Sequence, residues 1–288
     1  MARSSKHSRS GVLLGLLLTL SIPALAGDYG PDTGSLLIVG GGNQNFTGIS
    51  EKFIELAGGR GSKLVVIPTA KGNFNKDGSV REHNPQDYTS YWTYYGFEVE
   101  VLHTHDKGVA DTDAFVAPLR EADAVWFFGG RQWNLVDSYT GTLTEKELHA
   151  LLDRGGVIGG SSAGATIQGD YLVRGDSKTN RIMMTDETEH QKGFAFLRKT
   201  AIDQHIDAFD RWDDLVPVIE RYPDLLGIGI AESTAIVVVG DVFEVIGEGK
   251  VTVHDNSRTY GPKEKPYLVL SSGESFDMKN REVLPDDA

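Results

Sequence analysis

The segment Gly160-Ser161-Ser162-Ala163-Gly164 fits the pattern G-x-S-x-G, which holds a serine hydroxyl on a sharp turn between a strand and a helix. Backbone at such a turn is crowded, and flanking residues without side chains relieve the crowding. A neutral hydroxyl is a weak nucleophile and needs a positioned base, in practice a histidine oriented by a carboxylate. Of the 8 histidines, His205 closes the stretch Ala201-Ile202-Asp203-Gln204, as a residue at a strand end would. Glu232 follows the apolar and glycine run Leu226 to Ala231 in the same way. Open α/β sheets place their active sites beyond the carboxyl ends of the strands. Three strand ends are therefore expected to bring Ser162, His205 and Glu232 together on one face of a sheet. The chemistry expected of that group is acyl transfer, in which His205 takes the Ser162 proton, the hydroxyl attacks an amide and water resolves the acyl-enzyme.

Two other arrangements draw on the same residue types. An α/β-hydrolase orders its triad serine, acid, histidine. Ser162, Asp224 or Glu232, and His254 would satisfy that order, with Gly40-Gly41-Gly42 as an oxyanion loop. Yet His254 ends the alternating run Lys250 to His254, which places it on the solvent face of a strand. For a metal site, Asp203, His205 and Asp207 at spacing two share one strand face, and His103 and His105 form a similar pair. Without clustered further ligands, no metal is expected. A phosphate-cradling loop would carry a lysine just after its glycines, and none follows Gly164 in that position.

These residues need elements to hold them. Leu36 to Val39 is a short apolar run ending in three glycines, and Thr47 to Ala57 has apolar residues at helical spacing with a stop at Gly58-Gly59. Further apolar strands are expected at 63–68, 97–102, 124–128 and 156–159, with helix-length intervals between most of them. Strands that are apolar throughout and separated by helices imply an α/β fold, a mostly parallel sheet covered by helices on both faces. Thr234 to Val239, Val242 to Ile246 and Lys250 to His254 are closely spaced and read as an antiparallel, β-rich appendage on the same domain. No repeat or proline-rich linker interrupts residues 27–288, which are expected to form one domain.

The 288 residues are 40% hydrophobic and 24% charged, a globular composition. A net charge of −13 disfavours phosphate backbones and anionic lipid, so neither nucleic acid nor a membrane surface is an expected partner. With no cysteine, disulfides, thiolate metal centres and a cysteine nucleophile are all excluded. Residues 1–26 concern address rather than fold. Arg3, Lys6 and Arg9 precede an apolar run from Gly11 to Ile22, followed by Pro23 and Ala24-Leu25-Ala26, the layout of a secretory signal. That run would rise only about 18 Å as a helix, against a hydrocarbon core of about 30 Å. Cleavage is expected after Ala26, giving a secreted or periplasmic protein.

Four blocks together resemble a known family. Phe127-Phe128-Gly129-Gly130-Arg131-Gln132, the stretch Gly159 to Ala165, Asp203-Gln204-His205, and the stretch Gly227 to Ala235 are similar, in this order, to cyanophycinases, serine peptidases related to aspartyl dipeptidases. The resemblance runs from about Leu36 to Val253. It implies a class I glutamine-amidotransferase-like fold, no cofactor, homodimers, and release of β-linked aspartyl-arginine units from the storage polymer cyanophycin. By position it makes Ser162 the nucleophile, His205 the base and Glu232 the orienting acid. It gives Gly130 and Ala163 the backbone N–H groups that receive the oxyanion, and sets Gln132, Asp203 and Gln204 against the substrate. Where the family carries a pair of arginines after the histidine to hold the substrate's aspartate, residues 206–214 offer only Arg211. The same stretch holds Asp207, Asp210, Asp213 and Asp214, either an attractor of arginyl side chains or a solvated helix face.

Overall fold

The computed structural model describes residues 27–45 and 47–285; the expected signal segment lies outside the described residues. Strands β1 (Ser35–Val39), β2 (Lys63–Ile67), β3 (Glu98–Val101), β4 (Ala124–Phe127) and β5 (Val157–Ser161) pair in parallel in the order β1-β5-β4-β2-β3. A second sheet begins with β6 (Gly169–Tyr171), β7 (Leu197–Gln204) and β8 (Leu226–Ile230), also parallel. The later strands are shared between the sheets. β9 (Thr234–Val239) lies antiparallel to β1, and β10 (Val242–Gly247) to β9, whereas β11 (Lys250–Asp255) and β12 (Leu268–Ser271) extend the second sheet from β8. Strands β13 (Ser275–Asp277) and β14 (Glu282–Val283) close the edge of the first, which reaches nine strands against five in the second.

The helices are α1 (Ile49–Leu56), α2 (Gln86–Tyr95), α3 (Lys107–Ala110), α4 (Asp113–Glu121), α5 (Gln132–Tyr139), α6 (Leu143–Asp153), α7 (Ala163–Thr166) and α8 (Val216–Arg221). Period-two alternation divides the first sheet between two cores. Leu37, Val39, Leu64, Val66 and Trp126 face Phe53 of α1 and Trp92 of α2. Leu36, Ile38, Val65, Ile67, Val125 and Phe127 face the opposite core, built from Val116, Leu119, Leu148 and Leu151 of α4 and α6 together with Ile202, Ile228, Ile230 and Val253 of the second sheet. The expected α/β architecture is thus present, and the second sheet shares one face with helices. Neither face of a central strand meets water, which is why its sequence is apolar throughout.

The C-terminal strands do not form an appendage. Five of the six residues of β9 are buried, so this strand has no solvent face to offer at the outside of a fold, and it fits beside β1 instead. His254 is a second correction. Rather than facing solvent it is 2% exposed, because α8 covers that side of β11. Its ring packs on Tyr267 with centroids 4.6 Å apart, and Nε2 lies 3.1 Å from Thr252 Oγ1.

Burial, outweighing the pull of Asp213, pushes the pKa of His254 down to about 4. The unfolded chain therefore takes up a proton below about pH 6.5 that the folded chain refuses until about pH 4. Neutral His254 should cost the fold nothing above pH 6.5 and lower its stability progressively, by about 3 kcal/mol, as the pH falls to 4. Urea midpoints at pH 7, 5.5 and 4 should fall less steeply in His254→Asn; parallel profiles would refute the assignment.

Candidate active site

Two of the three expected reacting residues, and the neighbour of the third, leave their strands in unusual backbone conformations. Ser162 follows β5 at φ 59° and ψ −119° and opens α7. His205 follows β7 at φ 54°, and Ser233, next to Glu232, follows β8 at φ 54°. Non-glycine residues pay for positive φ and hold it only where surrounding contacts over-determine it. The contacts here come from the end of β1. Val39 O accepts from Ser162 N at 3.1 Å, Gly40 O from His205 N at 2.9 Å, and Gly41 O from Ser233 N at 2.9 Å. Three consecutive carbonyls thus dock one segment from the first sheet and two from the second. The strand ends converge as expected, but across two sheets rather than on one face of a single sheet.

The side chains form a continuous hydrogen-bonded row. His205 Nδ1 is 2.5 Å from Glu232 Oε1, and His205 Nε2 is 2.9 Å from Ser162 Oγ. A carboxylate can only accept, so Nδ1 carries the ring proton and donates it to Glu232; the Nε2 lone pair then accepts from the serine hydroxyl. Glu232 is fixed in turn by its own N–H, which donates to Asp207 Oδ1 at 2.8 Å. Gly41 and Gly42 pass directly beside this row at φ 121° and 71°. A Cβ on Gly41 would stand 2.1 Å from His205 Cε1, and one on Gly42 would stand 2.7 Å from Glu232 Cβ. The glycines after β1 are therefore needed for close approach to the histidine and its acid.

Among the described residues, neither Gly130 N nor Ala163 N donates to another group. Both lie beside Ser162, Ala163 as its neighbour in the chain and Gly130 on the wall of the same cleft. That cleft has a volume of about 410 Å³ and is lined by Ser162 and His205 together with Lys71 and Arg81. Reading the sequence missed both cations. They lie between β2 and α2, in a polar stretch without periodicity, and the small hairpin closed by Arg81 N to Asn73 O (2.7 Å) and Asn75 N to Ser79 O (2.9 Å) ends at Arg81 on the cleft wall.

The expected substrate contacts divide. Gln132 is turned inward, its amide nitrogen donating to Val173 O at 2.8 Å and Arg174 O at 2.9 Å. Asp203 has no exposure and takes a bidentate pair from Arg174 Nε (3.0 Å) and Nη2 (3.1 Å). Asp203, with both oxygens engaged by Arg174, is corrected from a substrate contact to an internal partner, whereas only the nitrogen of the Gln132 amide is committed. Gln204 keeps a buried side-chain oxygen without a partner. Arg211 stacks on Phe209 at 4.6 Å and donates to Gln204 O at 3.2 Å. Of the acidic cluster, Asp207 holds Glu232, Asp213 pairs with Lys265 at 3.0 Å and Asp214 pairs with Arg174, so three of the four carboxylates are committed. The same commitments disperse the Asp203, His205 and Asp207 metal set.

Residues 36–246 match the profile of peptidase family S51. The chain belongs to peptidase family S51. Among curated S51-like relatives, the cyanophycinase of Geminocystis herdmanii is 28% identical over 77% of this chain and 80% of its own length. The cyanophycinase of Nostoc sp. is 27% identical over 87% of this chain and 88% of its own. Among solved structures, a peptidase from an acI-B1 actinobacterium superposes with a TM-score of 0.62 at 24% identity, covering 85% of this chain and 97% of that one. A putative peptidase E of Listeria monocytogenes superposes at 0.51 and 19% identity, covering 75% and 98%. As an S51 member the protein is a cyanophycinase-like serine peptidase, and its substrate is a peptide.

Proposed function

We propose that this S51 peptidase is an exported hydrolase that releases β-Asp-Arg units from cyanophycin through Ser162, His205 and Glu232. The observation that supports it most is the unbroken row from Glu232 through His205 to Ser162, opening on a cleft with two unpaired backbone N–H groups. His205 accepts the hydroxyl proton as Ser162 Oγ attacks the carbonyl of the amide joining one unit to the next. The oxyanion is received by Gly130 and Ala163, each such donor being worth about 3 kcal/mol in the transition state. His205 then protonates the leaving amine, and water, deprotonated by the same ring, releases the acyl group. Export rests on the signal-like residues 1–26.

Substrate choice turns on how a carboxylate is held. Arg211 donates to Gln204 O and Arg81 Nη2 to Phe74 O at 3.3 Å, but it is Arg81 and Lys71 that line the cleft holding Ser162. Arg81 is the group we assign to a substrate carboxylate, for which a forked donor is suited. Arg81→Ala should raise KM about 10- to 100-fold for substrates with a free carboxylate, at little cost in kcat. Equal KM values for the variant and the parent would remove Arg81 from recognition. Because the family's arginine pair is replaced, a second reading is an exopeptidase or isopeptidase for other aspartyl peptides. Cyanophycin and a panel of α- and β-aspartyl dipeptides, offered to the purified protein, separate the two. Release of β-Asp-Arg from the polymer supports the first, and hydrolysis of the dipeptides alone supports the second.

A further inference from the structure

His83, His103 and His105 meet beside the cleft, His83 between the 73–81 hairpin and α2, the others just after β3. One ring nitrogen from each lies within 4.8 Å of the other two. Ring centroids are 3.8 Å apart for His83 and His103, and 4.9 Å apart for His103 and His105. Only the last two were paired by the sequence pattern, and the third ligand comes from a loop some twenty positions away.

Proton accounting is decisive at His105. Ser138 Oγ donates its one hydrogen to Asn134 O at 2.6 Å, so its 3.1 Å contact with His105 Nδ1 must be Nδ1–H donating to the hydroxyl. The lone pair therefore sits on Nε2, which is buried and has no partner. Leaving a buried acceptor unsatisfied is unfavourable, and such an atom calls for a physical reason. The other two rings are held in the same manner. His103 Nδ1 lies 2.9 Å from Thr69 Oγ1, and His83 Nδ1 lies 2.9 Å from Tyr88 Oη. His83 Nε2 has only a long 3.3 Å contact with Gly72 O. A carbonyl only accepts, so that contact carries the His83 proton on Nε2; ligation moves it to Nδ1, where Tyr88 Oη can accept, and gives up the contact with Gly72 O. At His103 and His105 a hydroxyl on one nitrogen and an unengaged second nitrogen is the orientation that metal-ligating histidines require. Burial first, and then the neighbouring imidazoles, push His103 down to about 4; burial and His83 lower His105, and burial with Arg81 and Lys71 lowers His83, which favours the neutral form that ligates.

We propose that His83, His103 and His105 bind a first-row divalent metal ion, zinc in particular, through their Nε2 atoms, tying the segment after the 73–81 hairpin to the loop after β3. Three neutral imidazoles with no thiolate or carboxylate suit zinc, with water in the fourth position. Zn–N bonds of about 2.1 Å in a tetrahedron place the nitrogens about 3.4 Å apart, which ring rotation and a small shift of His83 supply. The site stands apart from the Ser162 row and does not depend on the reaction assigned to it.

The untagged protein, stripped with chelator, should bind one Zn²⁺ per chain by calorimetry, and Co²⁺ should give the visible absorption of a tetrahedral centre. Zinc should also slow hydrogen exchange across residues 72–85. His105→Gln should weaken binding about 100-fold, and His83→Asn, on a partly exposed loop where folding is not at risk, should do the same. His149→Gln, far from the cluster in sequence, should leave binding unchanged. Absence of saturable zinc binding, or equal affinity in parent, His83→Asn and His105→Gln, would overturn the proposal and leave three packed neutral rings.

Discussion

Ser162→Ala should lower peptide hydrolysis by about 10⁴- to 10⁶-fold while leaving the unfolding temperature almost unchanged. The side chain removed is small and lines an open cleft, so the fold loses little packing. The reaction loses the hydroxyl whose proton His205 Nε2 is placed to accept at 2.9 Å. His205→Ala should cost about as much, and the double variant no more than either, because residues that act as one unit are not additive. Glu232→Gln tests the direction of the Nδ1 proton. An amide that can donate toward His205 favours the wrong tautomer, and such a change typically costs about 10⁴-fold. Turnover of a chromogenic aspartyl peptide, with intact-mass detection of a serine-directed phosphonate on Ser162, provides the measurement. Undiminished turnover in Ser162→Ala would place the nucleophile elsewhere.

The second large effect concerns stability rather than chemistry. Arg174 is 4% exposed and Asp203 is fully buried. The guanidinium spans both oxygens of Asp203, donates to Asn180 O at 2.8 Å and also reaches Asp214. Arg174→Met removes both hydrogen bonds to the buried Asp203 carboxylate and leaves only Arg211 Nη1, 4.0 Å from Oδ1, as a counter-charge; breaking a buried pair in this way typically destabilises by about 3–5 kcal/mol. For a chain of this size the unfolding temperature should drop by about 10 °C. The double variant Arg174→Met, Asp203→Leu removes both charges and should recover most of the loss, since an apolar pair of similar volume is often tolerated where half a pair is not. Equal losses in the single and double variants would show that the ion pair is not the cause. Asp203 lies two residues before His205 on β7, so the single variant should also lower kcat by loosening the strand that presents the base.

What the residue pattern legibly encodes is local. The turn around Ser162 could be read because glycines stand two positions to either side of it, and β1, β2, β4 and β5 because burial on both faces makes a strand largely apolar; the edge strand β3 alternates glutamate with valine instead. His205 and Glu232 were found at strand ends for the same reason: the apolar run and the residue ending it are adjacent in sequence.

Whatever depends on a partner far along the chain was decided by tertiary structure alone. β9 reads equally well as an outlying hairpin strand or as a neighbour of β1, and only the pairing of Leu37 with Val237 settles it. His254 alternates like a solvent-facing residue until α8 covers it, and Asp203 resembles a substrate ligand until Arg174 arrives from 29 positions earlier. Arg81 and His83 carry no signal at all, being polar residues in a polar loop. Side-chain type and periodicity constrain what a segment is. Which distant segment satisfies it is set by the global packing of two sheets around the end of β1, where three backbone carbonyls gather the serine, the histidine and the glutamate into one row.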